Sequence, residues 1–273
     1  MLAPFIAISL AVIFQIILVV ILIVPKALAG EDANTLTAKL TEQLASSPVF
    51  IGLLMCGQLG FAITAIGMAC LSPVPFRERL NLKAPRGGIR ICLLGALATI
   101  PILAAVGPLA SMLPGDATTG VFLEQLGLID GIIFVILVAL APGFIEEFLF
   151  RGYLQSRLLK RWKPFTAIAV SSLIFGLVHL MPNAIAVALP LGIWIGILAW
   201  RTGSIIPGIV AHAFINGALN LWRMIVKFAE PGETTQSIVM ITSVVIGSIA
   251  LVLAGMWMIR QKEDHLPENG LSI

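Results

Sequence analysis

The chain has 273 residues, 59% of them apolar and only 11% charged, with a formal net charge of +3. Soluble domains are about 45–50% apolar and roughly 25% charged, so this composition excludes a soluble enzyme, a disordered chain and a fibrous repeat. What remains is a polytopic membrane protein. The small net charge, with no basic stripe, argues against a nucleic-acid partner.

A helix that spans a bilayer needs about 20 predominantly apolar residues. About eight such segments are predicted, at 3–24, 49–71, 89–113, 129–150, 165–181, 184–200, 204–222 and 238–259. Run length and the lack of two-residue alternation predict an all-α polytopic membrane helix bundle rather than a barrel. In the first segment Ala27-Leu28-Ala29 resembles a leader cleavage site, but no basic region precedes it and the apolar run is long, so it is read as a retained span. Pro101 and Pro108 are expected to kink or end the third. The fifth and sixth are short and separated only by Met181, Pro182 and Asn183. No linker divides residues 1–273, which form a single integral membrane domain. Cys56, Cys70 and Cys92 lie in or beside apolar runs with no C-x-x-C pair, so neither a zinc knuckle nor a disulfide framework is signalled.

Orientation follows from the positive-inside rule. With 73–90 placed inside, eight spans put both termini in the cytoplasm. All of the 17 Lys and Arg residues then lie inside except Lys26, Lys39, Arg223 and Lys227. The acids Glu31, Asp32, Glu42, Asp116, Glu124, Asp130, Glu230 and Glu233 fall in the outer loops.

Against this background, polar groups inside spans carry the information. A charge at the bilayer centre costs about 2.5–3.5 kcal/mol or more and usually faces a bundle interior or a wet cavity. In Glu146-Glu147-Phe148-Leu149-Phe150-Arg151, adjacent helical residues point about 100° apart, so the two carboxylates cannot share one role. Glu147 and Arg151, at i and i+4 in the favoured order, are assigned as a structural ion pair. That leaves Glu146 free for chemistry. His179 ends Phe175-Gly176-Leu177-Val178-His179, and Phe175, one turn earlier, is placed to pack behind the imidazole. His212 and Asn216 share one face of the seventh span. Taken singly, each histidine also reads as a hydrogen-bonded core group, and His212–Asn216 as interhelical glue. One carboxylate, two imidazoles and a carboxamide from three helices together read as an acid–base constellation. His265 lies in a polar tail and is read as a bystander. Tyr153, the only tyrosine, reads as an interfacial anchor, and Gly192-x-x-x-Gly196 as a close-packing signal.

The ordered set Glu146-Glu147-x-x-x-Arg151, Phe175-x-x-x-His179, His212-x-x-x-Asn216 resembles the CAAX protease and bacteriocin-processing (Abi) family of intramembrane proteases. That family includes the type II CAAX prenyl endopeptidase. Phe150-Arg151-Gly152-Tyr153-Leu154 and Arg201-Thr202-Gly203-Ser204-Ile205-Ile206-Pro207-Gly208 are also like its members. The resemblance covers about residues 129–222, the catalytic core it implies. By position it implies that Glu146 is the general base that activates water and His179 assists it. His212 and Asn216 would stabilise the oxyanion, with Glu147 and Arg151 as the supporting pair. It leaves a second mechanism open, in which Glu146, His179 and His212 bind Zn²⁺ beside an open water position. No H-E-x-x-H is present to favour the metal.

The expected function is thus an intramembrane endopeptidase acting on a membrane-associated or lipidated peptide, in a cavity between helices of a bacterial or archaeal cell membrane. Because Glu146 precedes the basic 157–163 segment, the cavity is expected to open to the cytoplasmic side. The alternatives are a non-proteolytic immunity or scaffold protein of the same fold and a proton-coupled transporter, since Glu and His within spans also build proton relays.

Overall fold

The computed structural model describes residues 2–30, 32–115 and 117–261. His265, Lys262, Glu31 and Asp116 lie outside them. Every element is helical: α1 (Ala3–Leu28), α2 (Ala33–Ala45), α3 (Ser47–Cys70), α4 (Phe76–Arg79), α5 (Gly88–Leu97), α6 (Thr99–Ser111), α7 (Ala117–Gln125) and α8 (Leu128–Glu147) come first. A π-helix (Phe148–Gln155) continues α8 into α9 (Ser156–Leu158). The rest are α10 (Pro164–Leu177), α11 (Pro182–Thr202), α12 (Ile206–Ala229) and α13 (Glu233–Arg260).

Among the described residues, seven helical stretches are long and apolar enough to cross a membrane, and the chain is an integral multi-pass membrane protein. The fifth expected span is the exception. Helix α10 has 14 residues, about 21 Å at 1.5 Å per residue, short of the ~30 Å hydrocarbon core. Hydrogen bonds fix its course nonetheless. It starts beside the basic 157–163 segment, and the turn that follows it delivers Asn183, whose amide donates to the Pro114 carbonyl at 3.2 Å. Pro114 lies just beyond the far end of α6.

The two ends of the bundle differ in charge. At one end the 72–87 loop is tied to the turn between α11 and α12. Arg86 N–H donates to Thr202 O (3.1 Å), Ile205 N–H to Asn81 O (3.2 Å) and Ser204 Oγ–H to Lys83 O (2.6 Å). Arg77, Arg79, Arg157, Lys160, Arg161 and Arg201 gather there. At the other end Lys227 Nζ donates to the carbonyls of Leu123, Glu124 and Leu126 at 2.9, 2.7 and 2.6 Å, capping α7, whose last carbonyls have no helical partner. Both the start of α1 and the end of α13 lie at the basic end. Ala3 and Ala7 belong to the apolar cluster that holds Leu80 and Leu158, and Trp257 packs on Gly87.

Packing follows membrane rather than aqueous logic. Ala3, Ala7 and Ala11, spaced four apart, form a stripe of buried small side chains on α1. Gly60 of α3 meets the backbone of Ala11 so closely that a Cβ there would collide with it. Small residues permit this approach where lipid provides no hydrophobic drive, while the opposite face of α1 exposes Ile13, Ile17 and Ile21. The third span breaks at Ala98, between α5 and α6. Pro101 lacks the N–H that would bond Leu97 O, and its ring crowds that carbonyl. Gly247 of α13 packs directly against Leu97 O and the Pro101 ring, into the break. Pro108 remains inside α6 without ending it.

Candidate active site

The two glutamates close α8 immediately before the π-helix. Both are buried, with Glu146 6% and Glu147 0% exposed. Glu147 Oε1 accepts from Arg151 Nη1 at 2.9 Å and also from His212 Nδ1–H at 3.0 Å. The i,i+4 pair is therefore more than a local brace, because its carboxylate also holds an imidazole on α12, the helix packed against α8. A carboxylate only accepts, so Nδ1 carries the proton. His212 Nε2 is left on the opposite side of the ring, 3.9 Å from Glu146 Oε2.

Arg151 is held from three directions. Besides Glu147, its Nη2 donates to Gly192 O at 2.9 Å, and its guanidinium lies 4.3 Å from the centre of the Phe175 ring. Four residues on, Gln155 Nε2 donates to Gly196 O at 2.9 Å. The Gly192-x-x-x-Gly196 motif is thereby explained. Two side chains of the π-helix, four apart, reach two carbonyls of α11, four apart, across a surface with no Cβ. A Cβ at Gly192 would sit 2.9 Å from Phe175 and 3.2 Å from Arg151 Nη2. π-Helices often occur at functional sites, and here one directly follows the catalytic candidates.

Phe175 packs edge-on against His179 (5.1 Å between ring centres) and His212 (5.7 Å). It therefore fixes both imidazoles and the guanidinium together. His179 lies just past the end of α10, and its Nδ1–H donates to Phe175 O at 2.9 Å. A carbonyl only accepts, so Nε2 is the unprotonated nitrogen in the neutral ring. Asn216 Nδ2 donates to Val138 O at 3.3 Å, which uses one of its two N–H groups.

His179, His212 and Asn216 line one cavity of about 540 Å³, together with Ser111, Asn183 and Arg223. Glu146 does not line it, but stands one layer behind His212, with Oε2 buried and without a partner. Its Oε1 accepts from Gln58 Nε2 at 2.8 Å. Gln58, on the second span, is a site residue that the motifs do not contain; the signal for it in the sequence is that it is the one Gln within 49–71.

Two expectations are corrected. The cavity does not open toward the basic 157–163 segment. It extends from His212 toward the end of the bundle where Ser111, Asn183 and Arg223 lie. The basic end is filled by Leu149, Phe150, Tyr153 and Leu154, each at most 3% exposed, with Gly152 packed on Leu80. Tyr153 accordingly belongs to this plug and is not an interfacial anchor. No group of three or more His, Cys, Asp and Glu placed to hold a metal ion is found among the described residues, and the Zn²⁺ alternative stays open. His212 Nδ1 is committed to Glu147 and Glu146 Oε1 to Gln58, which leaves His212 Nε2 and Glu146 Oε2, 3.9 Å apart, as their uncommitted atoms.

Residues 128–218 match the Rce1-like family, described as type II CAAX prenyl endopeptidase Rce1-like, which supports the resemblance read from the motifs. No curated protein matches the chain. No solved structure does so either.

Proposed function

We propose that the chain is an intramembrane endopeptidase that hydrolyses a peptide bond with water activated by Glu146. The observation that carries this reading is the clustering of two imidazoles, each with its Nδ1–H anchored by the protein, on one wet-sized cavity, with the unpartnered Glu146 Oε2 behind them. Both nitrogens of His212 face carboxylates, Nδ1 bonded to Glu147 at 3.0 Å and Nε2 3.9 Å from Glu146. Glu146 Oε2 stands behind His212 and outside the cavity lining, so the reading requires water to pass beside the His212 ring to reach it, where Glu146 takes a proton as the hydroxide attacks the scissile carbonyl. The Nε2–H of His212 and the second N–H of Asn216 face the developing oxyanion, and preorganised donors of this kind commonly supply the largest share of rate enhancement. When the tetrahedral intermediate collapses and the C–N bond breaks, His179 Nε2 relays to the leaving amine the proton that Glu146 took from water, which returns Glu146 to its starting form. Glu147, held by Arg151, orients His212 without touching substrate, as the carboxylate orients the histidine in hydrolytic triads.

With the basic end taken as cytoplasmic by the positive-inside rule, the substrate approaches from the opposite half of the bilayer. The match to a CAAX endopeptidase family favours a membrane-associated peptide, including a lipidated one. The test is cleavage of candidate peptides by purified protein in detergent. Wild type should cleave, and Glu146→Gln should lose activity while keeping its melting temperature. Equal cleavage by both would refute the mechanism. A Glu146→Gln variant that retains full cellular activity would favour the non-proteolytic scaffold.

A further inference from the structure

At the basic end, outside the cavity just described, a second hollow of about 410 Å³ is lined by Arg79, Arg157, Lys160 and Arg161, together with Tyr153 and Trp162. Arg79 is only 9% exposed. Its Nε donates to Ser72 Oγ at 2.7 Å, and its terminal nitrogens have no protein partner among the described residues. Arg157 is held in place by Tyr153, with its guanidinium 4.3 Å from the ring centre. The acid nearest in sequence, Glu78, lines the neighbouring hollow and forms no ion pair with any of these cations. Four cations line one hollow, the exposed Arg157, Lys160 and Arg161 and the nine-tenths buried Arg79, and none of them is paired with a carboxylate among the described residues.

We propose that this hollow binds the phosphate of an anionic phospholipid headgroup. Three observations select a lipid as the source. The hollow sits at the end of the spans where Trp162, 38% exposed, marks the depth of an interface. Phe165, 84% exposed, continues an apolar surface away from it. The end it occupies carries most of the basic residues, which the positive-inside rule places against the anionic cytoplasmic leaflet. Guanidinium groups hold phosphate oxygens through charge-assisted hydrogen bonds.

The test uses full-length protein reconstituted in phosphatidylcholine vesicles with and without phosphatidylglycerol, followed by native mass spectrometry of retained lipid. Wild type should retain phosphatidylglycerol selectively. Arg157→Gln/Lys160→Gln/Arg161→Gln should weaken retention by about five-fold per charge removed, with its melting temperature in pure phosphatidylcholine unchanged. Arg79→Gln, assayed alone, should weaken it also. Equal retention by wild type and the triple variant would overturn the proposal. So would inorganic phosphate raising the melting temperature of delipidated protein as much as phosphatidylglycerol does, since the ligand would then be a soluble anion.

Discussion

Glu147 can be a brace for Arg151, an orienting group for His212, or both, and a pair of substitutions separates these roles. Glu147→Gln keeps the shape but removes the charge beside an Arg151 that is 1% exposed. Breaking a buried ion pair by removing one partner costs about 3–5 kcal/mol, so unfolding in detergent should shift by about that amount. Glu147→Leu/Arg151→Met removes both charges. Apolar replacement of a buried pair is neutral to stabilising by ~1–4 kcal/mol. Against this, Gly192 O and His212 Nδ1 lose their partners, at about 1–3 kcal/mol each. The double variant should therefore recover most of the stability lost by the single. Activity should not follow, because His212 has lost the acceptor that sets its tautomer. In hydrolytic triads, loss of the orienting carboxylate costs about 10⁴-fold in kcat. The assay pairs a denaturant titration with initial rates of peptide cleavage. If the double variant cleaves like wild type, Glu147 is a brace only and the orienting role is wrong.

Three further outcomes follow from the packing. Gly208→Ala would place a Cβ 2.8 Å from Ile195 and 3.0 Å from Glu147 Oε2, so it should destabilise by about 1–3 kcal/mol and reduce cleavage, read by melting and initial rate. Gln58→Leu removes the donor to Glu146 and should lower stability by about 1–3 kcal/mol; a melting temperature equal to wild type would show that the contact carries nothing. Gly196→Ala puts a Cβ 2.8 Å from Gln155 Oε1. It should loosen the π-helix, seen as faster hydrogen exchange across 148–155, while Gly255→Ala, which meets nothing within 4 Å, should leave exchange unchanged.

The bundle was legible because spans announce themselves by composition, and Pro101 marked the break in the third because a missing N–H acts locally. The extent of α10 was less so. Apolar residues run on through Val178 and Leu180, but the helix ends at Leu177, and the ensuing turn places His179 where its Nδ1–H meets Phe175 O. Within the site, the i,i+4 geometry of Glu147 and Arg151 is local and could be read from spacing. The 3.0 Å bond from His212 to the same carboxylate spans 65 residues, and no spacing rule reaches that far. The same holds for Gln58, 88 residues from Glu146. The direction of the cavity could not be inferred from Glu146 preceding the basic segment, because the intervening π-helix is buried and plugs that side.

That plug also bears on the competing carrier reading. A transporter must open its central site to each face in turn, by rocking one repeat or bundle against another. Here the basic face is closed by a segment tied to its neighbours by three directed bonds: Arg151 to Gly192 O, Gln155 to Gly196 O, and Ser171 Oγ to Phe150 O at 3.1 Å. Opening it would strip buried carbonyls of their donors and separate Arg151 from Phe175, dismantling the cluster that positions His212. A hydrolase faces no such demand. It needs one route for peptide and water, and a rigid wall against which the base and the oxyanion donors keep their spacing. A cavity open toward Ser111, Asn183 and Arg223 and closed behind Glu146 meets that need. Labelling a cysteine placed at position 183 should therefore go to completion in folded protein, whereas one at position 150, fully buried in the plug, should stay protected with or without peptide. Peptide-dependent labelling at 150 would show the plug opening and restore the carrier.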